Sequence, residues 1–343
     1  PAAVSPGIPA DRNRGYGEPV NSGTTPLFSD AMILRPIAGH TGQFEANLNE
    51  HWTIGPKVHG GVMVALCAKA AREAYREPGG DAVQPVAVSA NFLSAPDPGP
   101  VRLVTSIRKR GRRIGLVDVE LLAGDRACVH AVVTLGELEG TAESLLSANP
   151  VTPLMSSEPP ADVGPIGPGH PGAEINNLAR GCDIRPAPVG TVVGDTAPVF
   201  RIWVRPRHDR VDELFALMVG DISMPVTYAV GRRGWAPTVQ LTAYLRCLPA
   251  EGWLRVLCTA TQIGQDFFDE DHTVVDSAGR IVVQTRQLAL VPGRYGFAMS
   301  RIAIIGGGHM GEALLGGLLR AGHQVKDLVL AERAPERADY LSK

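Results

Sequence analysis

Three glycines near the end of the chain have the spacing of a phosphate cradle. Ile302 to Ile305 reads as a short strand. Gly306-x-Gly308-x-x-Gly311 follows it directly and opens an apolar helix. Glycines at those positions let the backbone approach a pyrophosphate, whose charge is favoured by the N–H groups at a helix N-terminus. A second strand, Leu328 to Ala331, comes after the helix. Glu332 and Arg333 then stand where the adenosine ribose of a dinucleotide is read. Glu332 disfavours a 2′-phosphate, whereas Arg333 accommodates one. Two parallel strands cannot cover both faces of a sheet. The piece 299–343 is therefore expected to be a truncated βαβ fragment whose dinucleotide fingerprint is vestigial. Met299 reads as the first residue of a second protein joined to the end of another.

Other reactive side chains are scattered. Cys67, Cys128, Cys182, Cys247 and Cys258 are widely spaced and odd in number. They suit neither a zinc site nor a disulfide framework, and read as free thiols in a reducing compartment. No metal and no cofactor is expected. His59 precedes Gly60-Gly61 at a helix start, where it could act as a second catalytic group or touch a ligand. His130 and His272 read as structural or surface residues on strands. The basic run IRKRGRRIG, Ile107 to Gly115, reads as a solvated hairpin tip, with contact to phosphates as the alternative.

The elements that must position these groups fall into two units. In a chain of 343 residues, half of the 28 prolines fall in two stretches that also carry glycines and no periodicity. Residues 1–26 read as a disordered lead-in, and 144–188 as a Pro/Gly-rich linker. Between and beyond them lie units at 27–143 and 189–293. A composition of 44% apolar and 20% charged residues is that of a globular protein. A formal net charge of −2 gives no electrostatic case for nucleic acid or an anionic membrane. With no secretion signal and no apolar run of spanning length, a cytoplasmic location is expected.

The two units repeat one pattern. HGGVMVALCAKAAREAY (His59 to Tyr75) and VDELFALMVGDISMPVTYAVG (Val211 to Gly231) each read as a long apolar helix. Strand-like runs follow both. PVAVSANFLSAPDPG aligns with PTVQLTAYLRCLPAEG, Pro on Pro and Phe92-Leu93 on Tyr244-Leu245. Later segments read as hairpins turning at Gly124-Asp125 and Ala278-Gly279. Each unit is thus α+β, one helix covered by several antiparallel strands.

The motifs LFALMVGDISMP, PTVQLTAYL and GRIVVQTRQLAL in the second unit, with HWTIGPKVHGGVMVAL, SANFLSAPDPG and IRKRGRRIG in the first, resemble the double-hotdog acyl-CoA thioesterases of the thioesterase II class. The resemblance covers roughly 27–291 apart from the linker. It implies two hotdog folds side by side, forming one extended antiparallel sheet wrapped on central helices. It also implies hydrolysis of fatty acyl-CoA without a metal or a covalent intermediate, and allows further homo-oligomer assembly. The family orients its attacking water with an Asp, a Thr and a Gln, which fall here on Asp221, Thr238 and Gln287. The C-terminal fragment in turn resembles the opening of the NADPH-dependent pyrroline-5-carboxylate reductases.

The repeat supports the same three residues on physical grounds. The sequence alignment sets Gly61 opposite Asp221, Val86 opposite Thr238 and Val133 opposite Gln287. Burying three hydrogen-bonding groups where apolar ones would serve the fold suggests a task. Taken singly, Asp221 could cap a helix beginning near Ile222, Thr238 could be an ordinary strand residue, and Gln287 could face solvent. Gln240 and Thr242 share the face of Thr238 by strict alternation and compete for its role. Three other functions stay open: a hotdog protein that binds acyl-CoA without turnover, a hotdog hydratase, and, from the fragment alone, a reductase.

Overall fold

The computed structural model describes residues 27–76, 83–139, 144–188, 197–292, 302–306, 308–320 and 328–337. The lead-in 1–26, Met299 and the domain limits at 143, 189, 293 and 343 lie outside the described residues. In the first half, a short helix α1 (Phe28–Ala31) is followed by β1 (Arg35–Pro36), β2 (Gln43–Leu48) and a small ribbon of β3 (Thr53–Ile54) with β4 (Lys57–Val58). Next come the long helix α2 (Gly60–Tyr75) and four strands: β5 (Gln84–Phe92), β6 (Gly99–Arg110), β7 (Ile114–Ala123) and β8 (Arg126–Gly136). The second half adds β9 (Cys182–Pro186), β10 (Val199–Pro206) and α3 (Glu213–Val219). It continues with β11 (Thr238–Leu245), β12 (Leu254–Thr259), β13 (Phe267–Val275) and β14 (Ile281–Leu290).

Twelve of these strands form one sheet in the order β1-β2-β6-β7-β8-β5-β11-β14-β13-β12-β10-β9. The order reads the same from either end once the halves are matched, and the antiparallel β5–β11 pair is the seam. This is the tandem hotdog expected from the motifs. One face of the sheet wraps α2 and α3, whose ten and six buried residues share a continuous core with the inner strands. Phe28 closes that core edge-on against both Trp52 and Phe215, with ring centroids 5.4 Å apart in each pair.

Residues 144–188, expected as a linker, are packed. They supply β9, which pairs with β10 at the sheet edge, and bury Val151, Met155, Val163, Ile166 and Leu178. The apolar residues spaced through that Pro/Gly-rich stretch anchor it without helical or strand periodicity.

The second helix is shorter than its apolar pattern. Asp212 caps α3 by accepting from the Phe215 N–H at 2.7 Å, and the helix ends at Gly220. Pro225 lacks an N–H and disfavours helix for Met224, so only a 3₁₀ turn, Val226–Val230, forms beyond it. Asp221 therefore follows a helix rather than capping one.

The C-terminal piece is separate in its pairing. β15 (Ile302–Ile305) and β16 (Leu328–Ala331) pair in parallel as their own two-stranded sheet, with α4 (His309–Arg320) between them in sequence. Gly306 has φ +102°, and a side chain on Gly311 would run into the Gly306 carbonyl, so both positions need glycine. This is the Rossmann-like turn that the glycine spacing implies.

Candidate active site

The loop 220–226 lies between α3 and the 3₁₀ turn, against the inner faces of β13 and β14. Asp221 is nearly buried, its side chain 10% exposed. The start of α2, from the other half, comes up to meet it. A Cβ on Gly60 would stand 2.7 Å from Asp221 Oδ2, and the Gly61 N–H bonds to the Asp221 carboxylate. The glycine pair thus lets a helix N-terminus touch an anion, a favourable use of its dipole. His59, buried at the cap of α2, donates from Nε2 to the Asp221 carbonyl at 2.9 Å. The same nitrogen lies 3.8 Å from Asp221 Oδ2. Burial pushes the Asp221 carboxyl upward, while His59 and the Gly61 N–H pull it down; the upward push is larger.

Thr238 and Gln287 are brought together. Thr238 Oγ1 donates to Gln287 Oε1 at 3.0 Å, and Gln287 Nε2 donates in turn to Glu270 Oε2. The Val226 N–H donates to Glu270 Oε1 at 2.6 Å. Glu270 is thus held from both oxygens while 1% exposed. Burial drives its carboxyl up to about 8, helped by the charges of Asp221 and Asp269, against the two N–H donors. Asp221 is therefore near enough for its charge to be felt at Glu270.

A β-bulge decides which threonine joins the site. The β11–β14 register shifts between Thr238 and Gln240. The bulge breaks strict alternation, so Thr238 turns to the face of Leu241, whose partner is Gln287. Gln240 and Thr242 face the other way and bond to each other and to Ser89 across the seam. They lie on the opposite face of the strand from the Thr238–Gln287 pair.

His272 is buried, 1% exposed, rather than at the surface. Thr285 Oγ1 gives its proton to the Gly220 carbonyl at 2.6 Å, so it can only accept from His272 Nδ1 at 3.1 Å. His272 Nε2 then accepts from Ser223 Oγ at 2.8 Å. One imidazole in one tautomer thus clamps the loop on both sides of Asp221, and burial lowers its pKa to about 4. Cys258, Glu270 and His272 lie within metal-ligand reach of one another. Both Glu270 oxygens and both His272 nitrogens already have protein partners, so this set fits a hydrogen-bonded clamp better than a cation.

The basic run is remote from this site. Its hairpin tip meets the far end of α2, with the Arg110 guanidinium 4.5 Å from the Tyr75 ring centroid. A helix of 16 residues puts some ~24 Å between its ends.

Sheet, paired helices and a polar cluster confined to one half define a double-hotdog protein. Comparison with known proteins takes this further. Residues 48–136 match the acyl-CoA thioesterase N-terminal domain and residues 157–291 its C-terminal domain. An uncharacterised protein of Mycobacterium tuberculosis is 61% identical over 287 residues, 78% of this chain and 98% of that protein. The acyl-CoA thioesterase II of Mycobacterium marinum shares the fold at a TM-score of 0.58 and 13% identity, over 79% of this chain and all of that one. A hotdog protein of Alicyclobacillus acidocaldarius does so at 0.62 and 19%, covering 78% of this chain and 98% of that one. The chain belongs to the double-hotdog acyl-CoA thioesterase family. Its C-terminal piece is a second likeness. Residues 301–343 match the F420-dependent NADP oxidoreductase family. A 47-residue stretch is 74% identical to the pyrroline-5-carboxylate reductase of Mycobacterium tuberculosis, of which it spans only 16%.

Proposed function

We propose that the chain hydrolyses fatty acyl-CoA to free acid and CoA, using a water held by Asp221, Thr238 and Gln287. The observation that carries this reading is the Thr238–Gln287 hydrogen bond on the face where the loop of Asp221 is clamped. A thioester carbonyl is already electrophilic, so positioning a polarised water accounts for much of the rate. Asp221 takes the water proton as its oxygen attacks the carbonyl carbon; the raised carboxyl makes it a better base than a free aspartate. The N-terminal turn of α2 lies against the same spot and offers the positive end of its dipole to the oxyanion. Collapse breaks the C–S bond, and the thiolate recovers the proton from Asp221. His59 keeps Asp221 in place through its backbone carbonyl.

The test is thiol release from acyl-CoAs of rising chain length, wild type against Asp221→Asn. Loss of at least ~10²-fold in kcat is expected, the scale of a general base. Tight acyl-CoA binding with no thiol released by the wild type would make this a binding protein instead.

A further inference from the structure

We propose that Glu270 is a positioning residue for this reaction: acting through Gln287, it sets the direction of the hydrogen bonds in the Thr238–Gln287 pair and leaves the attacking water one free lone pair. This role rests on the water-hydrolysis reading above. Three contacts fix the geometry. Val226 donates to one Glu270 oxygen, Gln287 donates to the other, and Thr238 donates to Gln287. An ionised Glu270 only accepts, so the Gln287 amide must turn its nitrogen toward it and its oxygen toward Thr238. The second Gln287 N–H is then free to donate to a water, and the Thr238 oxygen keeps a lone pair to accept from it. A water so placed gives one proton to Thr238 and one to Asp221, receives one from Gln287, and retains a lone pair for the carbonyl carbon.

Protonating Glu270 reverses the chain. Its new O–H needs an acceptor, which the Gln287 oxygen supplies when the amide flips. Gln287 nitrogen then donates to Thr238 Oγ1, and the Thr238 hydroxyl proton is turned outward. The water now meets two donors, both its lone pairs are occupied, and none is left for attack. The titratable and charged groups facing Glu270 are Asp221 on the loop, Asp269 and His272 on its own strand, and Cys258 on β12. Burial keeps the Cys258 thiol and the His272 imidazole neutral at pH 7, so Asp221 and Asp269 are the charges that Glu270 feels. Both resist its ionisation, and burial adds to them, which places the switch near pH 8.

Glu270→Gln separates this role from simple packing. Its carbonyl still accepts from Val226, but its NH₂ forces Gln287 into the flipped state at every pH. The wild-type kcat is expected to rise as pH passes through about 8. Above that midpoint the variant is expected to fall short of wild type by roughly tenfold or more in kcat with KM little changed, and it should lack the rise. In a Thr238→Val background, where no hydroxyl remains to reverse, Glu270→Gln adds little further loss. Wild-type kcat and pH profile in Glu270→Gln would overturn the proposal and leave hydrolysis intact. A second readout holds if the variant does not fold: the Gln287 side-chain amide ¹H–¹⁵N signals of the wild type should move with the same pH midpoint, and a static pair overturns the switch. No hydrolysis by the wild type overturns the reaction itself, whatever those signals do.

Discussion

The two halves of the twelve-stranded sheet are built alike and filled differently. The register shift between Pro85 and Ala87 in β5 matches that between Thr238 and Gln240 in β11. The shift between Leu121 and Leu122 in β7 matches that between Val274 and Val275 in β13. With those fixed, Glu270, His272, Thr285 and Gln287 stand where the first half has Val117, Val119, Ala131 and Val133. The first-half four are all fully buried and purely aliphatic. One scaffold therefore holds an apolar version and a polar version of the same four positions. The apolar version shows that the fold does not require the polar one. Four buried polar groups, each satisfied, are retained on one side only, where the loop of Asp221 passes over them.

The sharpest way to break the comparison is to give the second half the residue of the first. Gln287→Val reproduces Val133 and removes the group that links Thr238 to Glu270. It is expected to lower kcat by about 10²–10³-fold, the scale of losing one oriented hydrogen-bond donor, with circular dichroism unchanged. Near-wild-type turnover in this variant would show that the polar four serve folding rather than the water.

The same contrast should appear in stability against pH, with a smaller effect. Glu270 in the fold ionises near 8, above its ordinary value of 4.5. Its contribution is fully present below about 4.5 and is lost as pH rises toward about 8. His272 is depressed to about 4 from 6.5, so its contribution is present above 6.5 and is lost as pH falls toward 4. The two slopes oppose each other between 4.5 and 6.5, leaving Glu270 alone between 6.5 and 8. There the wild type is expected to lose on the order of 1 kcal/mol per pH unit, read from denaturant midpoints. Glu270→Gln should abolish that slope. A slope that persists in the variant would assign it to another group.

Much of the fold is legible in the sequence because hydrophobic period and turn chemistry repeat along the chain. The register is not. Aligning Pro85 on Pro237 sets Val86 against Thr238, one residue away from the true counterpart, Pro85. One residue is enough to exchange the two faces of a strand. The bulge that fixes it depends on partners far away in sequence. Gly61 is likewise not the counterpart of Asp221. The matching stretch of α2, around Ala68, is still helix, whereas α3 has ended. Gly61 is instead the group that touches Asp221. Motif spacing passes over Glu270 and His272, although the strand itself carries a signal for them. In FFDEDHTVV they alternate with outward residues in step with Phe268 and Val274, and period two puts all four on the apolar face. A carboxylate and an imidazole at core positions of a strand are enough, from residue types and alternation alone, to mark a site. His59 carries less signal, because its partner belongs to the other half.

The C-terminal piece extends the comparison to a third region, and the smallest effect is expected there. Among the described residues β15 and β16 pair only with each other, so no strand of the thioesterase sheet depends on them. The phosphate-binding turn is well formed, with Gly306 and Gly311 packed as the fingerprint demands. Among the described residues that turn opens a sheet of two parallel strands. Glu332 accepts from the Arg333 and Ala334 N–H groups at 2.7 and 2.9 Å, which turns its carboxylate to local capping. A chain ending at Ala298 should therefore keep kcat and KM for acyl-CoA within about twofold, since neither the sheet nor the clamp around Asp221 is touched. A larger loss would show that the fragment leans on the thioesterase, and would make the two families partners in one chain rather than neighbours.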